Sequence, residues 1–325
     1  MERYFEDPQV LHIGTCEPKS YIIPYQNAEV AGREKSEFFT LLNGEWRFKY
    51  FTAFELIDED FKNFDYDDSS FDTIKVPGVW QTDGYDSAQY ITSPYPIPFD
   101  PPHVPNENPT ACYIRDFYYN KTPGRRYYLN FEGVDSAFYL WLNGEFLGYS
   151  QVSHATHTFD ITDRLQEGKN RLAAAVLKWC DGSYLEDQDK IRMNGIFRDV
   201  YILERAENHI TDYKIKTDSN DDYTNAQIDI EIEYLKQTGN EEAELLVTGP
   251  DGDTVFQGRC KDKVRFCIAD PQLWSAETPL LYKLVISFNG EYIVKKFGLR
   301  KIEVREGLVC LNGKPIKLRG VNRHD

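Results

Sequence analysis

The chain has 325 residues, of which 41% are hydrophobic and 28% charged, a globular composition. This length exceeds that of a usual single domain, so we expect at least two cores, each stable without metal or disulfide staples. A formal charge of −16 at pH 7 would repel a phosphate backbone and an anionic lipid surface alike, which makes nucleic acid and membrane poor partners.

The cysteines indicate a reducing environment. All six, at positions 16, 112, 180, 260, 267 and 310, lack the CxxC spacing and neighbouring histidines of a zinc site. The chain opens on Met1 in a charged, aromatic segment without an apolar leader, and no run of about 20 apolar residues follows. These features predict a cytoplasmic protein.

Period-two alternation and 14% aromatic residues predict an all-β fold. Residues 1–34 are predicted to form an N-terminal tail and residues 35–206 the first β domain. Asn-Gly pairs, which favour tight hairpin turns, occur at 43–44, 143–144, 289–290 and 312–313. Seven prolines in residues 94–109 predict an extended loop, which either lines a site or wraps the sandwich.

The second half of the chain predicts another sandwich. Residues 207–305 hold some seven short strands, and the alternating run 226–234 directs Asp229 and Glu231 to water. This pattern is typical of an immunoglobulin-like β-sandwich without its disulfide. Residues 308–321 predict a hairpin and an apolar strand over 316–321, and the abrupt ending that follows suggests a truncated chain.

The densest polar cluster is the segment 179–198. Crowded carboxylates repel one another unless a cation, an arginine or sugar hydroxyls take up their lone pairs, which favours a metal or carbohydrate role. The alternative is an acidic surface turn paired with Arg192 and Arg198. A catalytic pair is not expected, because two carboxyls on one exposed loop seldom face each other across a sugar. The carboxylates are Asp181, Glu186, Asp187 and Asp189.

Histidines offer weaker signals. His154 and His157 have no Asp, Glu or Cys within two residues of them in sequence, so a solvated turn is favoured over a metal site. His324 ends a predicted strand, and polar residues at the carboxyl ends of barrel strands face active sites.

Residues 179–200 resemble, nearly position by position, the acidic motif of the large β-galactosidases of glycoside hydrolase family two. The resemblance covers the whole chain through further segments in the same order, namely 76–81, 84–86, 107–110, 141–144, 148–150, 273–279, 297–300, 311–315 and 319–324. It implies a jelly-roll sugar-binding β-sandwich, an immunoglobulin-like β-sandwich and, over residues 306–325, the start of a (β/α)₈ TIM barrel. Both catalytic glutamates would lie beyond Asp325, so no catalytic residue is expected in this chain, which should be inactive alone.

The resemblance also implies substrate contacts. The full enzyme would be a homo-oligomer that hydrolyses terminal β-D-galactose from galactosides such as lactose, with retention. Asp189 falls on the position that contacts the galactosyl hydroxymethyl group and a sodium ion, and His324 on one that binds the ring hydroxyls. Thr92 aligns with a family Asn, so a single hydroxyl replaces an amide there.

A magnesium site that ties the tail to the first domain is likewise implied. Gln151 and Asp181 match its two ligands from the domain, Asp7 replaces a family Asn, and Val10 offers a carbonyl. Oxygen ligands of these types suit Mg²⁺. Tyr4 stands where the family has an Asp, and the alternative is a tail that packs without metal.

Two other functions compete. A free-standing carbohydrate-binding module would suit a jelly roll, but it would not need residues 311–324. A β-glucuronidase or β-mannosidase shares the three-domain plan, but the acidic run 179–189 is characteristic of the galactosidase branch. A glucuronidase would also need cationic groups for the uronate, which this part of the chain does not reveal.

Overall fold

The computed structural model describes residues 1–29, 32–90, 95–186, 191–236, 239 and 241–322. These residues form 25 strands and six 3₁₀ helices of at most four residues, and no helix among them is long and apolar enough to cross a membrane. The chain divides into two compact units. Unit 1 comprises Met1–Pro18 and Thr40–Glu204, and unit 2 comprises Lys19–Phe39 and Arg205–Asn322.

The elements follow one another closely along the chain. The 3₁₀ helices are Tyr4–Glu6, Arg33–Lys35, Phe54–Leu56, Glu59–Lys62, Trp80–Asp83 and Asp181–Tyr184. The first fifteen strands are β1 His12–Ile13, β2 Phe39–Leu41, β3 Gly44–Phe51, β4 Asp72–Val76, β5 Gln89–Tyr90, β6 Thr110–Tyr119, β7 Arg125–Phe131, β8 Val134–Asp135, β9 Ala137–Leu142, β10 Glu145–Ser150, β11 His157–Asp160, β12 Gly168–Leu177, β13 Ile191–Arg192, β14 Gly195–Ile196 and β15 Val200–Ala206. The remaining ten are β16 Ile210–Ser219, β17 Asn225–Tyr234, β18 Ala243–Thr248, β19 Thr254–Cys260, β20 Lys263–Ala269, β21 Tyr282–Phe288, β22 Glu291–Phe297, β23 Ile302–Arg305, β24 Leu308–Leu311 and β25 Lys314–Pro315.

Unit 1 is a β-sandwich with two hydrophobic cores, one between its sheets and one on the opposite face of the larger sheet. Its seven-stranded sheet, in the order β1-β10-β9-β12-β6-β3-β4, packs on a four-stranded sheet, β11-β7-β15-β2. Side chains alternate along a strand, so in β9 Phe138 and Leu140 face the core between the sheets, while Tyr139 and Trp141 face the opposite side. That opposite face is covered as well, which is why every residue of β9 is buried.

The cover of the second core comes from loops and the N-terminal tail. Phe5 and Phe61 are at most 1% exposed there, although neither lies in a strand. The proline-rich loop contributes Ile97 and Val104, and its described residues, 95–109, form no strand or helix, as its sequence predicts. The described part of this loop therefore wraps the sandwich.

Unit 2 is the predicted immunoglobulin-like sandwich, built from sheets β16-β17-β20 and β19-β18-β21-β22. In β17, Ile228 and Ile230 are fully buried, as the alternation requires. Asp229 was expected to face water, yet it is 7% exposed, because Arg265 on the neighbouring strand covers it with two hydrogen bonds of 2.6 and 2.7 Å. The prediction of an all-β fold with two sandwiches is confirmed.

Three of the four Asn-Gly pairs form tight hairpin turns with positive φ at both residues, at 143–144, 289–290 and 312–313. At 43–44 only Gly44 has positive φ, because β2 and β3 belong to different sheets. The turn between β23 and β24 uses Glu306 and Gly307, both with positive φ, a pair that the Asn-Gly pattern does not predict.

Two sequence expectations differ from the structure. The strand predicted over residues 316–321 does not form: Ile316 donates one backbone hydrogen bond to Val309, and no described neighbour pairs with the residues after it. The predicted tail, residues 1–34, is divided between the units, because residues up to Pro18 pack with unit 1 and Lys19–Phe39 with unit 2. A domain boundary between residues 305 and 306 stays a prediction.

Candidate sugar and cation site

The three predicted sugar contacts, Thr92, Asp189 and His324, lie outside the described residues, so their positions stay predictions. The described residues next to two of these segments are informative. Tyr90, just before 91–94, and Ile191, just after 187–190, are direct partners in the antiparallel β5–β13 ladder. One end of each segment therefore joins the same two-stranded ladder.

Trp179, at the start of the acidic motif, is held by hydrogen bonds to its backbone and by contacts to its ring. The Asn108 side chain bonds both backbone groups of Trp179 at 2.9 Å, as a neighbouring strand would. The indole is 4% exposed, and the charged ends of Lys178 and Arg192 lie 5.2 and 5.4 Å from its ring centroids. Such cation–π contacts hold the ring in place. The segment 107–110, which contains Asn108, therefore holds the start of the acidic segment 179–198 in place.

A buried ion pair supports the same segment. Lys178 Nζ lies 2.5 Å from Asp86 Oδ2, with the two side chains only 5% and 14% exposed. Gln81 joins Asp86 to Asn194, whose amide donates at 2.8 Å to the buried carboxylate of Asp135. This connected network satisfies polar groups that would otherwise destabilise the interior.

The predicted magnesium ligands come together in the structure. Strand β1 pairs with β10, and this pairing places the tail beside Gln151, whose Nε2 donates to the Val10 carbonyl at 3.2 Å. Gln151 also donates to the Asp181 carboxylate, and the negative charge of Asp7 acts on Asp181. Residues from three separate parts of the chain, namely Asp7 with Val10, Gln151 and Asp181, thus surround one polar spot.

The electrostatics of this spot fit a cation. Burial raises the pKa of Asp181, and the neighbouring Asp7 raises it further, against hydrogen bonds from Gln151 and the Gly182 N–H. Gln151 is 1% exposed, and its Oε1 has no hydrogen-bond partner among the described residues. A bound cation would satisfy that oxygen and offset the repulsion between the carboxylates.

Tyr4 stands where the resemblance implies an Asp, and its ring packs against other aromatic rings. Its ring centroid lies 6.0 Å from that of Tyr139 and 5.6 Å from that of Tyr149. Of the described residues, no three His, Cys, Asp or Glu side chains are grouped as metal ligands. The spot offers two carboxylates, an amide and a carbonyl instead, and this oxygen-only set suits Mg²⁺ better than zinc.

The histidine prediction was wrong for one residue. His154 is exposed, but His157 lies in β11 and is 5% exposed. Its Nε2 lies 3.2 Å from the Val152 carbonyl, so Nε2 carries the proton and Nδ1 accepts from the Ser150 hydroxyl at 2.8 Å. Ser150 then accepts from His12 Nδ1, also at 2.8 Å. The role of Ser150 was not predicted, because His12 is 138 positions away and His157 lies on a different strand.

Two family models match this chain. The one described as "Glycosyl hydrolases family 2, sugar binding domain" covers residues 39–206, and the one described as "Glycosyl hydrolases family 2" covers residues 208–300. The first match covers most of the first sandwich and the second most of the second sandwich. The chain belongs to glycosyl hydrolases family 2.

Curated relatives extend well past this chain. It is 45% identical to a β-galactosidase from Actinobacillus pleuropneumoniae and covers 32% of that protein, with all of this chain aligned. A β-galactosidase from Staphylococcus xylosus is 42% identical, again over 100% of this chain and 32% of the relative. The chain thus spans about a third of the length of the curated relatives it matches.

Solved structures show the same fold at low identity. A β-glycosidase from Bacteroides vulgatus matches with a TM-score of 0.68 and 22% identity, over 87% of this chain and 36% of that one. A Bifidobacterium dentium β-glucuronidase, complexed with coumarin-3-O-glucuronide, matches with a TM-score of 0.68 and 18% identity, over 85% and 51%. At this identity the likeness establishes the fold alone.

Proposed function

We propose that this chain is the N-terminal, sugar-binding part of a β-galactosidase that removes terminal β-D-galactose from galactosides such as lactose. The observation that carries the proposal is the 45% identity to a β-galactosidase over the whole chain. Retaining hydrolysis needs two carboxyls roughly 5 to 5.5 Å apart on either side of one sugar. We assign both to the part of the protein that this chain does not include.

The role of this chain would be to hold the galactosyl group. Asp189 is our first candidate, because a carboxylate accepts hydrogen bonds from sugar hydroxyls and also binds a sodium ion. Thr92 and His324 would add a hydroxyl and an imidazole. The Trp179 scaffold supports this proposal, since it rigidly holds the start of the segment that carries Asp189.

A second part of the proposal concerns magnesium. Asp181, Gln151, Asp7 and the Val10 carbonyl would hold the ion. Bound there, Mg²⁺ would neutralise two carboxylates and fasten the N-terminal tail to the sandwich. The partnerless Gln151 Oε1 supports this assignment.

The experiment compares the full-length protein with residues 1–325 on a chromogenic β-galactoside and the matching β-glucuronide. The full-length protein should hydrolyse the galactoside, and residues 1–325 should show no turnover. In the full-length protein, Asp189→Asn should lower kcat/KM about a hundredfold, whereas the exposed control Asp163→Asn should not change it. Preference for the glucuronide would reject the proposal, as would turnover by residues 1–325 that Asp189→Asn abolishes.

The remaining sequence predictions belong to the same proposal. A homo-oligomeric full enzyme and a cytoplasmic location stay predictions. So does the exclusion of nucleic acid and membrane as partners, which the formal charge of −16 supports.

A further inference from the structure

A cleft of about 440 Å³ opens in the first sandwich where strands β3 and β6 separate. The two strands pair only from Arg47 opposite Ile114 to Phe51 opposite Thr110. Before Arg47, β3 still pairs with β4, and after Ile114, β6 still pairs with β12. Ligand pockets in proteins commonly have volumes of roughly 300 to 1,000 Å³, so this cleft is large enough to hold a small molecule.

Arg115 bridges the separation between the two strands. Its Nη1 donates to the Glu45 carbonyl at 2.6 Å, a backbone group that β6 would bond if the strands stayed paired. Its Nε is buried and has no hydrogen-bond partner among the described residues. A guanidinium stays charged at neutral pH, and a buried donor without an acceptor is unfavourable. This side of Arg115 therefore lacks an acceptor that a ligand could supply.

Two other arginines show which acceptor suits that side of a guanidinium. Nε and Nη2 of Arg171, next to the cleft, donate to the two carboxylate oxygens of Asp116 at 2.7 and 3.0 Å. Arg265 binds Asp229 through the same two nitrogens at 2.6 and 2.7 Å. Paired bonds of this kind recognise carboxylate and phosphate groups. We therefore expect the missing partner of Arg115 to be an oxyanion.

The charges that line the cleft also favour an anion. Arg47 is exposed and lines the cleft together with Arg115, and neither forms an ion pair with a carboxylate in the described part of the chain. The acids Asp68 and Asp116, which line it as well, are already paired with Arg171 at 3.2 and 2.7 Å. The positive charge that a ligand could neutralise therefore belongs to Arg47 and Arg115.

The cleft also offers groups that bind hydroxyls. Glu45 and Thr73 line it beside the two arginines. A carboxylate accepts hydrogen bonds from hydroxyls, and a threonine hydroxyl both donates and accepts. A bare anion would leave these groups unused, and Glu45 would repel it.

We propose that the cleft binds a small hydroxylated oxyanion, of the class of sugar phosphates and sugar acids, with its anionic group on Arg47 and Arg115. The hydroxyls of this ligand would bind Glu45 and Thr73. Such a ligand would be additional to the galactoside of the proposed function.

Calorimetric titration of the full-length protein tests the cleft with four probes, namely glucose 6-phosphate, glucuronate, glucose and inorganic phosphate. Glucose derivatives keep the probes away from a site that selects galactose. Glucose 6-phosphate, glucuronate or both should bind at least about tenfold more tightly than glucose and inorganic phosphate, because only they offer both an oxyanion and hydroxyls. The tighter of the two identifies the oxyanion as phosphate or carboxylate.

Variants locate that binding. Arg47→Gln and Arg115→Gln should each weaken it at least about tenfold, because each removes a charged donor. Arg115→Lys should weaken it similarly, because lysine keeps the charge but lacks the paired N–H groups. The control is Arg259→Gln, at a side chain 63% exposed in β19, which should leave the affinity unchanged. Because Arg47 is exposed, Arg47→Gln should also leave the thermal midpoint without ligand unchanged, which separates lost binding from lost folding.

Four results would overturn the proposal. One is no binding of either sugar oxyanion at concentrations of about 10 mM. Another is binding that the Arg47 and Arg115 variants leave unchanged, which would place the ligand elsewhere. Glucose that binds as tightly as its acids would make the ligand a neutral sugar, and inorganic phosphate that binds as tightly would make it a bare anion. None of these results depends on β-galactosidase activity, which the titration does not measure.

Discussion

Gln151 is almost completely buried, yet one of its two polar atoms lacks a partner in the described part of the chain. Leaving a buried acceptor unpaired destabilises a fold by roughly 1–3 kcal/mol, so such an atom needs a reason. Gly182 lies close to it, because a Cβ atom built on this glycine would meet Gln151 Oε1 at 2.8 Å. The absence of a side chain at position 182 keeps the space in front of the amide free.

Gly182→Ala should therefore abolish stabilisation by magnesium. At about a hundred times its dissociation constant, Mg²⁺ should add about 2.7 kcal/mol to the unfolding free energy of the wild-type chain, and the added methyl group should displace one ligand. The measurement is thermal unfolding with and without MgCl₂. Gly320→Ala, which meets nothing within 4 Å, is the control. Equal magnesium stabilisation in all three proteins would contradict the assignment, and so would its absence in the wild type.

Lys178→Met should be strongly destabilising, because it leaves Asp86 buried without its cation. Breaking one partner of a buried ion pair lowers the unfolding free energy by about 3–5 kcal/mol. Lys169→Met is the matched control, because its ion pair with Asp116 is 44% and 37% exposed and Arg171 still binds that carboxylate. Denaturant unfolding measures both losses. A loss at Lys178 no larger than that at Lys169 would show that the buried pair contributes little.

At the scale of single strands, β11 carries a titratable group into the interior. Burial lowers the pKa of His157 to about 4, since the charged imidazolium loses its hydration there. In the unfolded chain the same group titrates near 6.5. The unfolded state therefore binds the proton more readily, and the contribution of neutral His157 to stability is lost as the pH falls from about 6.5 toward 4.

His157→Gln should flatten this pH dependence. Between pH 7 and pH 5 the wild type should lose about 2 kcal/mol of unfolding free energy that the variant does not lose. Denaturant unfolding at the two pH values gives the difference. A parallel decrease in both proteins would assign the acid sensitivity to other groups.

Strands were easier to predict than their surroundings. The alternation of β17 is local information, as is an Asn-Gly pair between two strands, and both predictions succeeded where the flanking strands pair with each other. They failed at positions 43–44, because adjacent strands that join different sheets need no hairpin. The strand expected over 316–321 failed for a related reason, since an apolar run forms a strand only where a neighbour pairs with it.

At the scale of the whole molecule, family motifs predicted more of the site than periodicity did. They predicted that Asp7, Val10, Gln151 and Asp181 lie close together. Sequence spacing could not predict this, because Asp7 and Asp181 are 174 positions apart. The second core was not predicted. It joins Phe5, Phe61 and Ile97 to one face of β9, and such distant contacts leave no local sequence pattern.

The proposed function requires that the chain holds part of a galactoside site and not all of it. Calorimetric titration of residues 1–325 with galactose, in sodium and magnesium chloride, tests the claim most directly. We expect a dissociation constant in the millimolar range or weaker, about −4 kcal/mol at best, because most contacts to the sugar would come from the catalytic part. A micromolar constant would contradict the account and identify a self-sufficient carbohydrate-binding module.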